Sequence, residues 1–116
     1  MLFVNYPKCS TCRKAKKWLE EHDFEFESKH IVEDNPTADE LREWWQISEL
    51  PLKRFFNTSG MKYREMKLKD KLPDMSEDEQ LDLLATDGML VKRPILVDED
   101  TVLVGFKVKE WEKKLL

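Results

Sequence analysis

A strand-like run, a C-x-x-C motif and a helix follow one another directly at the start of the chain. Leu2-Phe3-Val4 is a short apolar run with strand character, and Pro7 ends the turn after it. Cys9 and Cys12 come next, and apolar residues at the spacing of one helix face continue from about residue 10 to 22. A strand that turns at once into a helix constrains the chain to an α/β fold, with the two cysteines at the junction.

Polar residues mark where the helices begin. Ser10 and Thr11 are candidate caps for the first helix. The Thr37–Glu40 and Ser76–Glu79 pairs each have the spacing of a capping box, so two further helices are predicted to start there.

The remaining segments complete the order of elements. They are a strand over 24–32, a helix after Thr37, a helical turn after Pro51, an irregular amphipathic stretch over 61–74, a helix after Ser76, a hairpin of 95–97 with 102–104, and a final helix face from 108 to 116. A β-α-β unit followed by β-β-α is the thioredoxin arrangement. We therefore predict a single α/β domain over 1–116, with a redox β-α-β half (1–35), an all-helical insertion (36–88) and a β-β-α half (89–116).

Length and composition exclude several classes of protein. The 116 residues fit one domain, and a hydrophobic fraction of 41% is too high for intrinsic disorder. No apolar run approaches the ~20 residues of a membrane span. Lys8 and the basic residues over 13–17 leave no apolar region for a secretory leader, so we expect a cytosolic protein without a membrane partner.

Charge is segregated along the chain despite a net charge of only −4. Residues 1–19 hold five basic residues and no acidic one, whereas residues 20–50 hold eleven acidic residues and two basic ones. The C-x-x-C motif therefore lies in a positive stretch, and positive charge beside a thiol favours its thiolate form. No basic stripe interleaved with aromatic residues indicates nucleic-acid binding.

The expected chemistry depends on the place of Cys9 at the start of a helix. Unpaired N–H groups and the helix dipole favour negative charge there, and Lys8 and Arg13 add positive charge. Cys9 is therefore the candidate attacking sulfur, and Cys12, one turn later, the candidate resolving sulfur. Two ordinary buried cysteines are the alternative interpretation. A zinc site would need both His22 and His30 as further ligands, and it is disfavoured because His22 lies ten residues beyond Cys12, roughly 15 Å along a helix.

Arg93-Pro94 immediately precedes the predicted third strand. In a thioredoxin-like layout, a cis-proline stands at this place and faces the redox loop, and Arg93 would reach an oxyanion or a thiolate. A trans proline at the start of an edge strand fits the same residues.

These motifs together resemble the ArsC/Spx family of thioredoxin-like proteins over essentially the whole chain. The resemblance lies in Cys9-x-x-Cys12-Arg13-Lys14, Lys92-Arg93-Pro94-Ile95, Gly105-Phe106 and the helical insertion. The stretch 55–64 is closer still to an arsenate-reductase-like branch found in Gram-positive bacteria.

Departures from the family pattern bear on the substrate. Arsenate reductases of this family carry a histidine four residues before the nucleophile, where this chain has Asn5. Of their three oxyanion-binding arginines, Arg93 alone is matched, while the other two fall near Asn57 and Gly105. Loss of two charge-assisted anchors predicts weak arsenate binding. Elsewhere in the chain, Lys62 and Arg64 are candidate substitutes.

The leading hypothesis is a thiol–disulfide oxidoreductase in which Cys9 attacks a disulfide or oxyanion-type substrate and Cys12 resolves the adduct. The chemistry uses the two sulfur atoms, so no cofactor is expected, and thioredoxin or a low-molecular-weight thiol would act as reductant. The resemblance also implies an alternative, a redox-switched regulator of the Spx type that binds the RNA polymerase α subunit. A redox-inert binding module is a third hypothesis.

Overall fold

The computed structural model describes all 116 residues, and its elements follow the predicted order. The strands are β1 (Leu2–Asn5), β2 (Glu27–His30), β3 (Ile95–Asp98) and β4 (Thr101–Val104). The helices are α1 (Ser10–Glu21), α2 (Ala38–Ser48), α3 (Met61–Glu65), α4 (Leu68–Lys71), α5 (Glu77–Thr86) and α6 (Val108–Leu115). Single 3-10 turns cover Leu52–Phe55, Leu72–Asp74 and Gly88–Leu90. None of these helices combines the length and apolarity needed to cross a bilayer.

The four strands form one mixed sheet in the order β2-β1-β3-β4. Strand β1 runs parallel to β2, with α1 as the crossover, and antiparallel to β3. Strands β3 and β4 form the predicted hairpin, in which Leu96 is paired with Leu103. The predicted thioredoxin-like order, β-α-β followed by β-β-α, is therefore confirmed.

Side chains that alternate along the strands divide between two apolar clusters, one on each face of the sheet. On one face, the strand residues that pack with α1 and α6 are Phe3, Leu96 and Leu103. On the other face, those that pack with the helices between β2 and β3 are Val4, Ile95 and Val104. Trp111 of α6 is fully buried, and its Nε1 donates to the Gly105 carbonyl at 3.1 Å, which ties α6 to the end of β4.

Strand β2 is shorter than the predicted strand over 24–32. Its partner β1 has only four residues, and the ladder runs from Leu2 opposite Glu27 to Asn5 opposite His30. The alternation that suggested a longer strand has another cause. Phe26 lies before the ladder and packs edge-on against Phe3, with ring centroids 5.5 Å apart. Beyond His30 the chain enters turns.

Both predicted capping boxes are present. The Thr37 hydroxyl accepts from the Glu40 amide at 3.1 Å, and the Glu40 carboxylate accepts from the Thr37 amide at 3.0 Å. Ser76 and Glu79 make the same reciprocal pair at 3.1 and 3.0 Å. Each box satisfies two N–H groups that the first helical turn leaves without a partner.

We expect Thr37→Ala to destabilise the protein by about 1 kcal/mol, because the mutation removes the acceptor for the Glu40 amide at the start of α2. Urea denaturation followed by circular dichroism measures the change. The control is Thr58→Ala, an exposed threonine in a turn, which should stay within about 0.5 kcal/mol of wild type. Equal stability of the two variants would contradict the capping role.

Candidate active site

Cys9 lies at the junction between β1 and α1, where it is the N-cap residue of the helix. Its backbone is extended (φ −87°, ψ 123°), its N–H donates to the Tyr6 carbonyl at 2.9 Å, and its own carbonyl accepts from the Arg13 amide at 3.1 Å. The expectation that Ser10 or Thr11 caps α1 was wrong, because both lie inside the first turn. The cap position belongs to the cysteine itself.

The pKa of the Cys9 thiol lies below its ordinary value. Partial burial acts to raise this pKa, but hydrogen bonding to the sulfur outweighs it. The Cys12 backbone N–H and the Cys12 thiol contribute most to the lowering. Smaller contributions come from the Arg93 guanidinium and the Thr11 N–H. All four groups stabilise negative charge on the sulfur, which favours the nucleophilic thiolate.

Cys12 behaves in the opposite way. Its side chain is buried on the inner face of α1, and this burial raises its pKa to about 12. Interaction with the neighbouring Cys9 sulfur contributes to this rise, since a second negative charge beside the first is unfavourable. Both cysteines are free thiols in contact with each other. The pair therefore consists of one acidic thiol at the surface and one protonated thiol behind it.

Cys9 opens onto a cavity of about 490 Å³ at the end of the sheet. The residues around it come from four separate parts of the chain: Cys9, Thr11, Arg54, Asn57, Ser59, Gly60, Lys92, Arg93, Val104, Gly105, Phe106 and Lys107. Cys9 and Arg93 were predicted from the sequence, and the structure brings them together. The lining includes no aspartate or glutamate.

Lys8 and Arg13 do not line this cavity. Lys8 is exposed in the turn before Cys9, and Arg13 borders a different cavity of about 460 Å³, next to Cys12 and Lys16. Neither residue is among the groups that lower the pKa of Cys9. Backbone amides, the Cys12 thiol and Arg93 supply the stabilisation of negative charge on Cys9 that was expected in part from these two side chains.

Arg93 is held beside the thiol pair by two contacts. Its guanidinium lies over the Tyr6 ring, 5.2 Å from the centroid, and its Nη1 donates to the Met89 carbonyl at 3.4 Å. The Arg93–Pro94 peptide bond is cis. Pro94 is buried, and its carbonyl accepts from the Gly105 amide at 2.8 Å, so of this pair it is Arg93 that faces the cavity.

Three further cations around the cavity were not predicted to be site residues: Arg54, Lys92 and Lys107. Arg54 and Lys92 are brought together by backbone pairing between residues 55–57 and 90–92, in which the Lys92 amide donates to the Phe55 carbonyl at 2.8 Å. For Arg54 the available signal was the basic character of residues 51–72, which hold seven basic residues and two acidic ones, but this does not show which cations reach Cys9. The backbone pairing of residues 55–57 with 90–92 joins segments far apart in the chain, so no local pattern predicts it.

The suggested substitutes, Lys62 and Arg64, lie elsewhere. Lys62 forms an ion pair with Asp87 at 3.7 Å, and Arg64 donates to the Ser59 carbonyl at 2.9 Å. Neither side chain lines the Cys9 cavity. Asn57, which occupies the place of a family arginine, does line it.

No group of three or more histidine, cysteine or carboxylate side chains has the arrangement of a metal site. His30 packs edge-on against Tyr6, with ring centroids 5.8 Å apart, and its Nδ1 accepts from the Val32 and Glu33 amides. The ring is thus engaged by the turn after β2. The chemistry available at Cys9 is that of the thiol pair and the surrounding cations.

Comparison with known proteins gives consistent matches. The ArsC family model matches residues 4–114. YusI, an uncharacterised protein of Bacillus subtilis (strain 168), is 59% identical over 113 residues, which cover 97% of this chain and 96% of YusI. The crystal structure of an ArsC family related protein from Bacteroides fragilis has a TM-score of 0.94 and 61% identity, covering 97% of this chain and 94% of that chain.

Regulators also appear among the relatives. The global transcriptional regulator Spx 2 of Bacillus cereus is 31% identical over 107 residues, covering 92% of this chain and 80% of the regulator. The thiol pair, the thioredoxin-like sheet and these matches over nearly the whole chain lead to one conclusion. This chain belongs to the ArsC family.

Proposed function

We propose that the protein is a cytosolic thiol–disulfide oxidoreductase with Cys9 as nucleophile and Cys12 as resolving residue. The observation that carries the proposal is the contrast between the two thiols. The pKa of Cys9 is lowered at the mouth of a cationic cavity, whereas burial raises the pKa of Cys12 to about 12. A resolving thiol that stays protonated leaves the first attack to Cys9.

The reaction proceeds in two exchanges. The Cys9 thiolate attacks one sulfur of a substrate disulfide, forming a mixed disulfide and releasing the other sulfur as a thiolate. Cys12 then loses its proton and attacks the Cys9 sulfur, which forms the Cys9–Cys12 disulfide and releases the second substrate thiolate. Two electrons pass from the protein to the substrate, and thioredoxin or a low-molecular-weight thiol restores the reduced pair.

Arg93 assists this reaction by stabilising negative charge on the Cys9 sulfur. The resemblance implies that Arg93 would also hold an oxyanion, and that Asn57, which lines the cavity, stands in place of a second oxyanion-binding arginine. An amide binds an oxyanion less strongly than a guanidinium, because it offers no charge-assisted, bidentate hydrogen bonds. Arsenate is accordingly a weaker substrate than a disulfide in this proposal.

The similarity to Spx 2 supports a second candidate function. In a redox-switched regulator, formation of the Cys9–Cys12 disulfide would alter a surface that binds the RNA polymerase α subunit, with no substrate turned over. The two candidates differ in whether reduction of a small disulfide is catalytic.

We expect Cys9→Ser to abolish disulfide reductase activity, because a serine hydroxyl is not ionised at neutral pH and does not attack disulfides. Cys12→Ala should retain the first attack and accumulate a mixed disulfide on Cys9, visible as an adduct in the intact mass. Ser10→Ala, an exposed change within the same motif, is the control and should keep full activity. Full activity in Cys9→Ser would refute the proposed mechanism.

The pH dependence of alkylation provides a separate prediction. Since the pKa of Cys9 is lowered, its reaction with iodoacetamide should reach half-maximal rate at a lower pH than that of a free cysteine. Arg93→Gln removes one stabilising donor and should move the midpoint upward, whereas Arg13→Gln should not, because Arg13 does not contribute to the shift. Coincident profiles for wild type and Arg93→Gln would contradict the role of Arg93.

Retention of the protein on the immobilised C-terminal domain of the polymerase α subunit distinguishes the regulatory function from the oxidoreductase. If the protein is an oxidoreductase, we expect equal background retention of its reduced and oxidised forms. Spx 2 of Bacillus cereus serves as the positive control. Retention that depends on the redox state would favour the regulatory function.

A further inference from the structure

A second cavity adjoins the one that Cys9 opens onto. It has a volume of about 360 Å³, and its lining consists of Pro51, Lys53, Arg54, Phe56, Thr58 and Lys92. Arg54 and Lys92 border both cavities, so the two cations stand between the thiol and a further recess. This second lining also includes no acidic residue.

The backbone holds Arg54 and Lys92 at this boundary. Arg54 lies in the 3-10 turn Leu52–Phe55, where its amide donates to the Pro51 carbonyl at 2.9 Å. Lys92 follows Val91, which forms an antiparallel bridge with Phe56. Two segments separated by more than thirty residues are thereby fixed side by side. One presents Lys53 and Arg54 to the recess, and the other presents Lys92.

The Lys92 side chain also has a defined course. A Cβ at Gly105 would lie 3.4 Å from the Lys92 Cε, so the aliphatic stem of the lysine passes over this glycine. Gly105 has a φ of +78°, a conformation that side chains rarely adopt. The Lys92 side chain thus runs past the end of β4 toward the cavity that Cys9 opens onto.

None of these cations is neutralised within the protein. The ion pairs of the structure involve Lys29, Arg42 and Lys62, and none involves Arg54 or Lys92. A concave site lined by one sign of charge raises the local concentration of oppositely charged ligands. Two adjoining recesses that share Arg54 and Lys92 and have no acidic residue in their linings therefore indicate an anionic ligand.

We propose that Arg54 and Lys92 form a carboxylate-binding subsite beside Cys9, and that the substrate is a small disulfide carrying carboxylate groups. The inference rests on the proposed function and specifies its substrate class. A carboxylate on these cations would place the disulfide sulfur at Cys9 and leave Arg93 free to stabilise the thiolate. The sizes of the two recesses suit a low-molecular-weight disulfide.

The electron and proton balance is the same as for any disulfide in the proposed mechanism. The bond between the two substrate sulfurs breaks, the bond between the Cys9 and Cys12 sulfurs forms, and the proton of Cys12 passes to a released thiolate. Arg54 and Lys92 exchange no proton or electron. They act as specificity-determining residues by holding the carboxylate.

The test compares three symmetrical disulfides of similar size. They are 3,3′-dithiodipropionate, which is anionic, bis(2-hydroxyethyl) disulfide, which is neutral, and cystamine, which is cationic. Second-order rate constants for oxidation of the reduced full-length protein are measured by acid quench and mass spectrometry. We expect the anionic compound to react fastest and the cationic compound slowest.

The variants Arg54→Gln and Lys92→Gln test the two side chains. Each should lower the ratio of the anionic to the neutral rate constant about tenfold, which corresponds to about 1.4 kcal/mol. Arg64→Gln makes the same change of charge outside both cavities and should leave the ratio unchanged. The rate constant with the neutral disulfide is measured for each variant. A general loss of thiol reactivity would lower both rate constants and leave their ratio unchanged.

The outcomes separate this inference from the function on which it rests. If the neutral disulfide oxidises Cys9 but the anionic compound shows no preference, the carboxylate subsite is refuted and the oxidoreductase stands. An equal fall of the ratio in Arg64→Gln would likewise refute it, because the effect would then follow from net charge. If none of the three disulfides reacts through Cys9, both proposals fail.

Discussion

The start of α1 stabilises negative charge at Cys9, and the rest of the site is arranged around that interaction. The N–H groups of Thr11 and Cys12 have no helical acceptor, because they belong to the first turn. Their interaction with the Cys9 sulfur lowers its pKa against the opposing effect of partial burial. Strand β1 leads directly into this turn, so the central strand of the sheet sets where the reactive sulfur lies.

The sheet and the helical segment supply different parts of the cavity. Strand β3 follows the cis Arg93–Pro94 bond and brings the Arg93 guanidinium to the thiol pair, where Tyr6 supports it. The segment between β2 and β3 contributes Arg54 through its pairing with residues 90–92. In the proposed function, the segment between β2 and β3 would therefore shape the preference for substrates, while the β1–α1 junction would provide the nucleophile.

Much of the fold was predictable because its signals are local. The capping boxes at Thr37 and Ser76 rest on a spacing of three residues, and both are present as predicted. The extent of β2 was not predictable, because the ladder ends where its partner β1 ends and because Phe26 alternates for contact with Phe3 rather than for pairing. The cap of α1 was misassigned to the hydroxyl residues, although the extended backbone at Cys9 places the cysteine there.

The sequence by itself determined the order of strands and helices, the cysteine pair at the β1–α1 junction and the presence of Arg93 before β3. Each follows from a short pattern of residues whose physical meaning does not depend on distant parts of the chain. Tertiary structure alone decided that Arg54 and Lys92 face Cys9, while Lys8 and Arg13, its neighbours in sequence, do not line its cavity. The reason is that electrostatic interactions depend on distance in space, and only folding converts separation along the chain into such distances.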